Sequence, residues 1–277
     1  MKRINEGGRA LSILSKQLAQ RIEQSEIDYM MDRMMAIRER QGNPEHVQLR
    51  SFGGAAAIAS KGMPWPQFNT VKGFGLDELL LLPEILAFYA ECGCRPQFEI
   101  TPAKATPELL KLLSEQGFMP GGFQASFYAV PEAASMNLPA HIRIRRLERD
   151  EMTTYARIHC LGFGMNESGI EPIAANNAVL QGRPGWHFYM GLADEIPAAA
   201  GVMYVENGTA SLTFAATLPE YRSRGLQYAL VRRRMQEAAM NGCQLVVSQA
   251  AYLSPSHRNM ERAGMKLAYT RMNMVLR

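Results

Sequence analysis

Cysteine is scarce in this chain, and the four present are poorly spaced for chemistry. Cys92 and Cys94 flank a single glycine, tighter than the gap in common zinc and redox motifs, while Cys160 and Cys243 stand alone. The five histidines form no ligand cluster, so reduced structural thiols and no metal centre are expected. Long apolar runs are missing too. The leucine run Leu79–Leu82 stops at Pro83, far short of the roughly 20 apolar residues that span a bilayer, so no membrane partner is expected. Lys2 and Arg3 lead into no apolar stretch, which argues against a secretory leader and makes the cytoplasm the expected location. Tryptophan occurs twice. Trp65, braced by Pro64 and Pro66, either lines a binding surface or packs at a contact between domains.

What is present describes an ordinary globular protein. The 277 residues are 47% hydrophobic and 20% charged, enough chain for two domains. Net charge is +4 and unevenly shared. Residues 1–135 hold 14 Lys and Arg against 15 Asp and Glu; residues 136–277 hold 16 against 11. Arg222, Arg224, Arg232, Arg233 and Arg234 concentrate the excess, which suits a polyanion or one highly phosphorylated small molecule.

Apolar periodicity gives a coarse layout. Leu11, Leu14, Leu18 and Ile22, then Ile27, Met30, Met34 and Ile37, predict helix over the first forty residues, stopped at 41–44. A strand pair follows over 47–60 with Gly53-Gly54 as its turn, a strand at 68–74, a helix at 76–92 and a strand at 97–101. Thr106-Pro107 opens a helix that Gly117 ends, and 123–130 closes as a strand. Pro131–Pro139 is poor in large apolar residues and reads as a linker, dividing domains 1–135 and 136–277. The second half repeats the succession: a strand from Ile142, a helix at 151–163, a hairpin at 186–205, Asn207-Gly208 as a tight turn, a strand at 210–218, a helix at 223–241, a strand at 245–250, a helix at 256–262 and a strand at 267–276. Such a series predicts an α/β chain with mixed sheets, duplicated at a spacing of about 147 residues.

One stretch stands out: Leu218-Pro219-Glu220-Tyr221-Arg222-Ser223-Arg224-Gly225-Leu226-Gln227. A strand enters it, with Leu212, Phe214, Ala216 and Leu218 on one face, and an amphipathic helix leaves it, with Arg232, Arg233 and Arg234 as a basic collar. A strand, a basic glycine-bearing turn and a helix start make a phosphate site, because first-turn N–H groups lack intrahelical partners and point at an anion.

The segment resembles the acyl-CoA-binding turn of the GNAT N-acetyltransferase superfamily, whose pattern is Arg/Gln-x-x-Gly-x-Gly/Ala. Arg222 and Gly225 match, and Gln227 stands where the family prefers a small residue. The resemblance implies two acetyltransferase-like domains in tandem, an α+β mixed sheet, and acetyl-CoA as co-substrate. It implies a pyrophosphate held by Arg222, Ser223, Arg224, Gly225, Leu226, Gln227 and Tyr228, and a thioester oxygen meeting backbone N–H near Ala215, Ala216 or Thr217. Ser256 and Asn259 match the helix that family members lay along the pantetheine arm. In the first domain the equivalent turn reads Lys72-Gly73-Phe74-Gly75-Leu76-Asp77-Glu78, whose carboxylates repel an anion, so that copy is expected to be degenerate.

The implied reaction is attack of a primary amine, on a small molecule or a peptide, at the acetyl thioester. The family often places a tyrosine as acid to the leaving thiolate; here Met260 stands there, leaving Tyr221, Tyr252 or Tyr269 as substitutes. For a base, His159, Glu167, His187, Glu206, Glu220 or a water remain open, because the strand at 210–218 has no carboxylate. The alternatives are a non-catalytic acyl-CoA sensor and, less favoured for want of any basic-aromatic ladder, a nucleic-acid-binding module.

Overall fold

The computed structural model describes residues 13–133 and 137–277. Lys2, Arg3, Leu11 and residues 134–136 of the expected linker lie outside them. By spatial contacts the chain forms two units: Ser15–Ser126 with Ala268–Arg277, and Phe127–Leu267 with Ile13 and Leu14.

The first unit opens with α1 (Lys16–Arg38), whose N-cap Ser15 accepts from Leu18 N–H at 3.1 Å. Its inward stripe buries Leu18, Ile22, Met30, Met34 and Ile37, so these methionines fill core. β1 (Val47–Phe52) and β2 (Ala55–Ser60) pair antiparallel around Gly53-Gly54, with Gly53 at φ +60°. β3 is shorter than its apolar pattern predicts, only Thr70–Lys72. The helix expected from 76 starts as a 3₁₀ segment, Leu76–Leu81, and becomes α2 (Leu82–Cys92). Pro83 is the cause: it has no N–H to give the carbonyl four residues back, so the preceding turn tightens. β4 (Gln97–Ile100), α3 (Pro107–Glu115, capped by Thr106) and β5 (Phe118–Ala129) follow.

The C-terminal strand β11 (Lys266–Leu276) pairs antiparallel with β4, Met272 opposite Ile100 and Val275 opposite Gln97. The last ten residues therefore belong to the first unit, whereas the linker reading placed them in a domain running from 136 to 277. Composition marks where a chain loosens but not which strand it will pair with. Strand order in the first unit is β1-β2-β3-β4-β11-β5, with β3 and β4 parallel. Phe98 holds its core, edge-on to Phe74 and to Phe118 at 5.0 Å each.

The second unit runs β6 (Ile142–Arg146), α4 (Met152–Gly162), α5 (Ile170–Ala178), β7 (Trp186–Ala193), β8 (Ile196–Glu206), β9 (Thr209–Thr217), α6 (Leu226–Met240), β10 (Leu245–Ala251) and α7 (Pro255–Arg262). Strand order is β10-β9-β8-β7-β6, and β10 also pairs with β5, whose residues 127–129 belong to this unit. Asn207 (φ +46°) and Gly208 (φ +68°) make the tight β8–β9 turn that the Asn-Gly pair predicts. β6–β7–β8–β9 is antiparallel; β9 and β10 are parallel. Both units thus repeat the same succession: antiparallel strands (three in the first, four in the second), a turn, a helix, and a parallel strand beside the one that preceded the turn.

Candidate functional site

The parallel pair β9 and β10 separates partway along. Leu245–Ser248 pair with Thr209–Leu212, and the Ser248 hydroxyl donates to Leu212 O at 2.9 Å at the last rung. β9 then continues to Thr217 and β10 to Ala251 outside that ladder. Strands that part leave backbone groups facing a wedge, available to a ligand.

β9 is also bulged there. Against β8 the register passes from Val202↔Thr213 to Ala200↔Ala216, so Phe214 and Ala215 together oppose Gly201. Phe214 lies at φ +47°, a left-handed conformation that an aromatic residue rarely takes unaided. Arg234 supports it. This side chain is only 2% exposed, and its Nη1 donates to Val202 O at 2.8 Å and Thr213 O at 3.3 Å while Nε donates to Leu230 O at 3.0 Å. Burial lowers its pKa to about 10, which still leaves it charged at neutral pH.

The basic collar expected on α6 is thereby corrected: Arg234 points into the core, Arg233 pairs with Glu237 at 2.6 Å, and Arg232 donates to Ala263 O at 3.2 Å. A signal for Arg234 existed in the sequence. It sits four residues after Leu230, three after Val231 and four before Ala238, on the apolar stripe rather than opposite it.

The turn after β9 has the backbone its glycine predicts. Ser223 (φ +62°) and Gly225 (φ +88°) are left-handed, and Gly225 caps α6 with no side-chain bond. The first intrahelical bond runs from Ala229 N–H to Gly225 O at 3.0 Å, so the N–H groups of Leu226, Gln227 and Tyr228 have no acceptor within the helix. Arg222 does not reach outward. Its guanidinium donates to Gly162 O at 2.7 Å and Thr217 O at 3.4 Å, tying the turn to α4 and to the end of β9. Arg224 lies over the Tyr221 ring at 5.0 Å.

Gln227, read from the sequence as a departure, has a defined place. Its Nε2 donates to Ser256 Oγ at 2.6 Å, and Asn259 Nδ2 donates to its Oε1 at 2.5 Å. Three expected site residues from α6 and α7 thus meet in one hydrogen-bonded group. α7 itself is capped by Ser254, which accepts from His257 N–H at 3.2 Å. Sequence reasoning missed His257. It is 4% exposed, accepts from Leu253 N–H at 3.3 Å through Nδ1, and stands edge-on to Phe127 and Tyr252.

The acid and base candidates scatter. Glu167 pairs with Arg157 at 3.0 Å, and Glu220 is exposed. His187 lies on β7, its pKa lowered by burial and then by Arg146. Tyr269 belongs to the first unit, where burial raises its hydroxyl far above the ordinary value. Met260 is a core residue at 6% exposure. His159 on α4 stands apart, with its ring 6.4 Å from that of Phe214.

In the first unit the equivalent places are taken by the chain's own carboxylates. Glu78, 8% exposed, accepts from Gly75 N–H at 3.0 Å and Gly54 N–H at 2.9 Å. Beyond the last β3–β4 pair, Lys72↔Glu99, lies a pocket lined by Glu23, Glu26, Lys72, Glu99, Thr101 and Arg271. Lys72 bonds Glu99, Arg271 bonds Glu26 and lies 3.0 Å from Glu99, and Ser126 donates to Glu26 at 2.7 Å. Burial raises the Glu26 pKa; for Glu99 the same burial is outweighed by Arg271 and Lys72, which hold it below its ordinary value.

Among the described residues no group of His, Cys, Asp and Glu could hold a metal, all four cysteines are free, and no helix is long and apolar enough to cross a membrane.

No protein-family model and no curated protein matches the chain. Solved structures do. A GCN5-related N-acetyltransferase from Kribbella flavida superposes with a TM-score of 0.63 at 15% identity, covering 88% of this chain and 94% of its own. A second, from Sphaerobacter thermophilus, gives 0.57 at 15% over 80% and 79%. A tandem GNAT protein from the clavulanic acid biosynthesis pathway gives 0.58 at 13% over 87% and 86%. The fold is that of the GNAT N-acetyltransferases, and one of the structures that share it over most of this chain is a tandem protein.

Proposed function

We propose that the second unit binds acetyl-CoA and transfers its acetyl group to a primary amine, and that the first unit is a degenerate copy that binds none. One observation carries this reading: the parting of β9 and β10 beyond Ser248, beside a bulged strand and a bare helix start. A wedge between parallel strands admits a narrow chain such as pantetheine. Backbone N–H near Ala215, Ala216 or Thr217 receives the thioester oxygen in this reading, a donor that matters most as negative charge develops there. The N–H groups of Leu226, Gln227 and Tyr228, with Ser223, Arg224 and Gly225, form the pyrophosphate cradle. In this reading Arg222 acts through the backbone, holding the cradle to β9, and the Gln227–Ser256–Asn259 group borders the pantetheine arm.

A non-catalytic acyl-CoA sensor would share all of this, and the buried Met260 at the family's tyrosine position favours it. Turnover separates the two. The test is a thermal-shift titration with acetyl-CoA followed by an amine screen that reads release of the CoA thiol: stabilisation with turnover supports the transferase, stabilisation without turnover the sensor, and neither result leaves the site without its ligand.

A further inference from the structure

The end of α4 lies against the bulged part of β9. A Cβ on Gly162 would sit 2.8 Å from the Ala216 Cβ and 3.2 Å from Thr217 O, so glycine lets the helix approach this closely. One turn earlier, the His159 ring lies 4.8 Å from Phe163, 5.9 Å from Tyr155 and 6.4 Å from Phe214, the left-handed residue of the bulge. Phe163 is 58% exposed, which leaves the aromatic group open on one side. Of the acid–base candidates, His159 is the one the structure brings to the segment where the thioester is proposed to lie.

We propose that His159 is the general base of the transfer, and that the wall formed by Phe163 and Phe214 receives an amine carried on an apolar or aromatic group. This rests on the transferase reading of the second unit. The acceptor nitrogen forms its bond to the acetyl carbon with its lone pair, and its proton passes to the His159 imidazole. The C–S bond breaks with its electron pair going to sulfur, and the CoA thiolate takes a proton from solvent. The ionisable neighbours on the surrounding elements are Tyr155 on the same helix, the Arg157–Glu167 pair, Arg222 at Gly162 O, and Glu171 on α5; β9 contributes no ionisable side chain, and β8 has only Tyr204 and Glu206.

The experiment uses the full chain, acetyl-CoA, and 2-phenylethylamine beside glucosamine as acceptors, comparing wild type, His159→Gln and Phe163→Ala. kcat/KM per free amine is followed from pH 5 to 9, and acetyl-CoA affinity is measured by calorimetry. For the wild type the proposal expects kcat/KM to fall along an acid limb set by one group. His159→Gln should lose that limb and about 10²–10⁴-fold in kcat with unchanged acetyl-CoA affinity. Phe163→Ala should raise KM for 2-phenylethylamine. A His159→Gln enzyme that keeps both limb and rate overturns the base assignment, and so does a rate loss that merely follows lost acetyl-CoA affinity. Turnover of glucosamine with none of 2-phenylethylamine overturns the acceptor class. A wild type that does not bind acetyl-CoA overturns the transferase reading and this proposal with it.

Discussion

Arg234 and Gly201 are matched: a Cβ on Gly201 would lie 3.1 Å from the Arg234 guanidinium carbon. The glycine makes room for a buried cation, and the cation bonds the Val202 and Thr213 carbonyls, the facing pair at one end of the two-residue bulge. Neither residue has an obvious purpose without the other. Together they account for a strand that leaves its regular ladder beside the proposed thioester site.

Arg234→Met should therefore cost stability and binding together. Each buried carbonyl left without a donor costs about 1–3 kcal/mol, and the bulge loses its support. Denaturant unfolding should show a loss of that order, with weakened acetyl-CoA binding in what remains folded. Gly201→Ala should act in the same direction, more mildly. A stable Arg234→Met protein with normal affinity would mean that the bulge holds itself.

Gly225 separates backbone from charge. At φ +88° any L-residue is strained, by roughly 1–2 kcal/mol, and its Cβ would meet the Ile142 side chain at 3.4 Å. Gly225→Ala should be somewhat destabilised but still bind acetyl-CoA. Gly225→Asp should bind clearly more weakly than the alanine variant, because its carboxylate competes for the N–H groups of the cradle. Equal affinities for the two variants, measured by calorimetry, would remove the pyrophosphate from this turn.

Glu99 gives the first unit a pH dependence. Arg271 and Lys72 hold its folded-state pKa below the ordinary 4.5. Its contribution to stability is therefore complete above about pH 4.5 and is lost as pH falls through the lower, folded value. Chemical unfolding between pH 3 and 7 should show wild-type stability dropping at the acid end, with Glu99→Gln less stable at pH 7 and flatter below 4.5. Parallel curves for the two proteins would mean that the ion network contributes nothing through Glu99.

The succession of elements was legible because it rests on local signals. Asn207-Gly208, Thr106-Pro107 and Gly225 each fixed a turn or a helix end close to where the structure has it. What stayed hidden depends on partners far along the chain. The alternation of Leu212, Phe214, Ala216 and Leu218 reads as a flat strand, and nothing local announces that Arg234 will bulge it. Arg271 offers no sign that its carboxylate, Glu26, lies 245 positions earlier. Gln227 looked like a mismatch because a motif records residue types, whereas its role lies in bonds to Ser256 and Asn259.

The central claim is one acetyl-CoA per chain, held by the second unit. Glu78 already satisfies the Gly75 and Gly54 N–H groups, and a pyrophosphate in the first unit would have to displace that carboxylate. Calorimetric titration of the intact protein with acetyl-CoA is the direct measurement. The account predicts a single site per chain, weakened by Gly225→Asp and left intact by Glu78→Gln. No binding at millimolar ligand, or two equivalent sites, would contradict it.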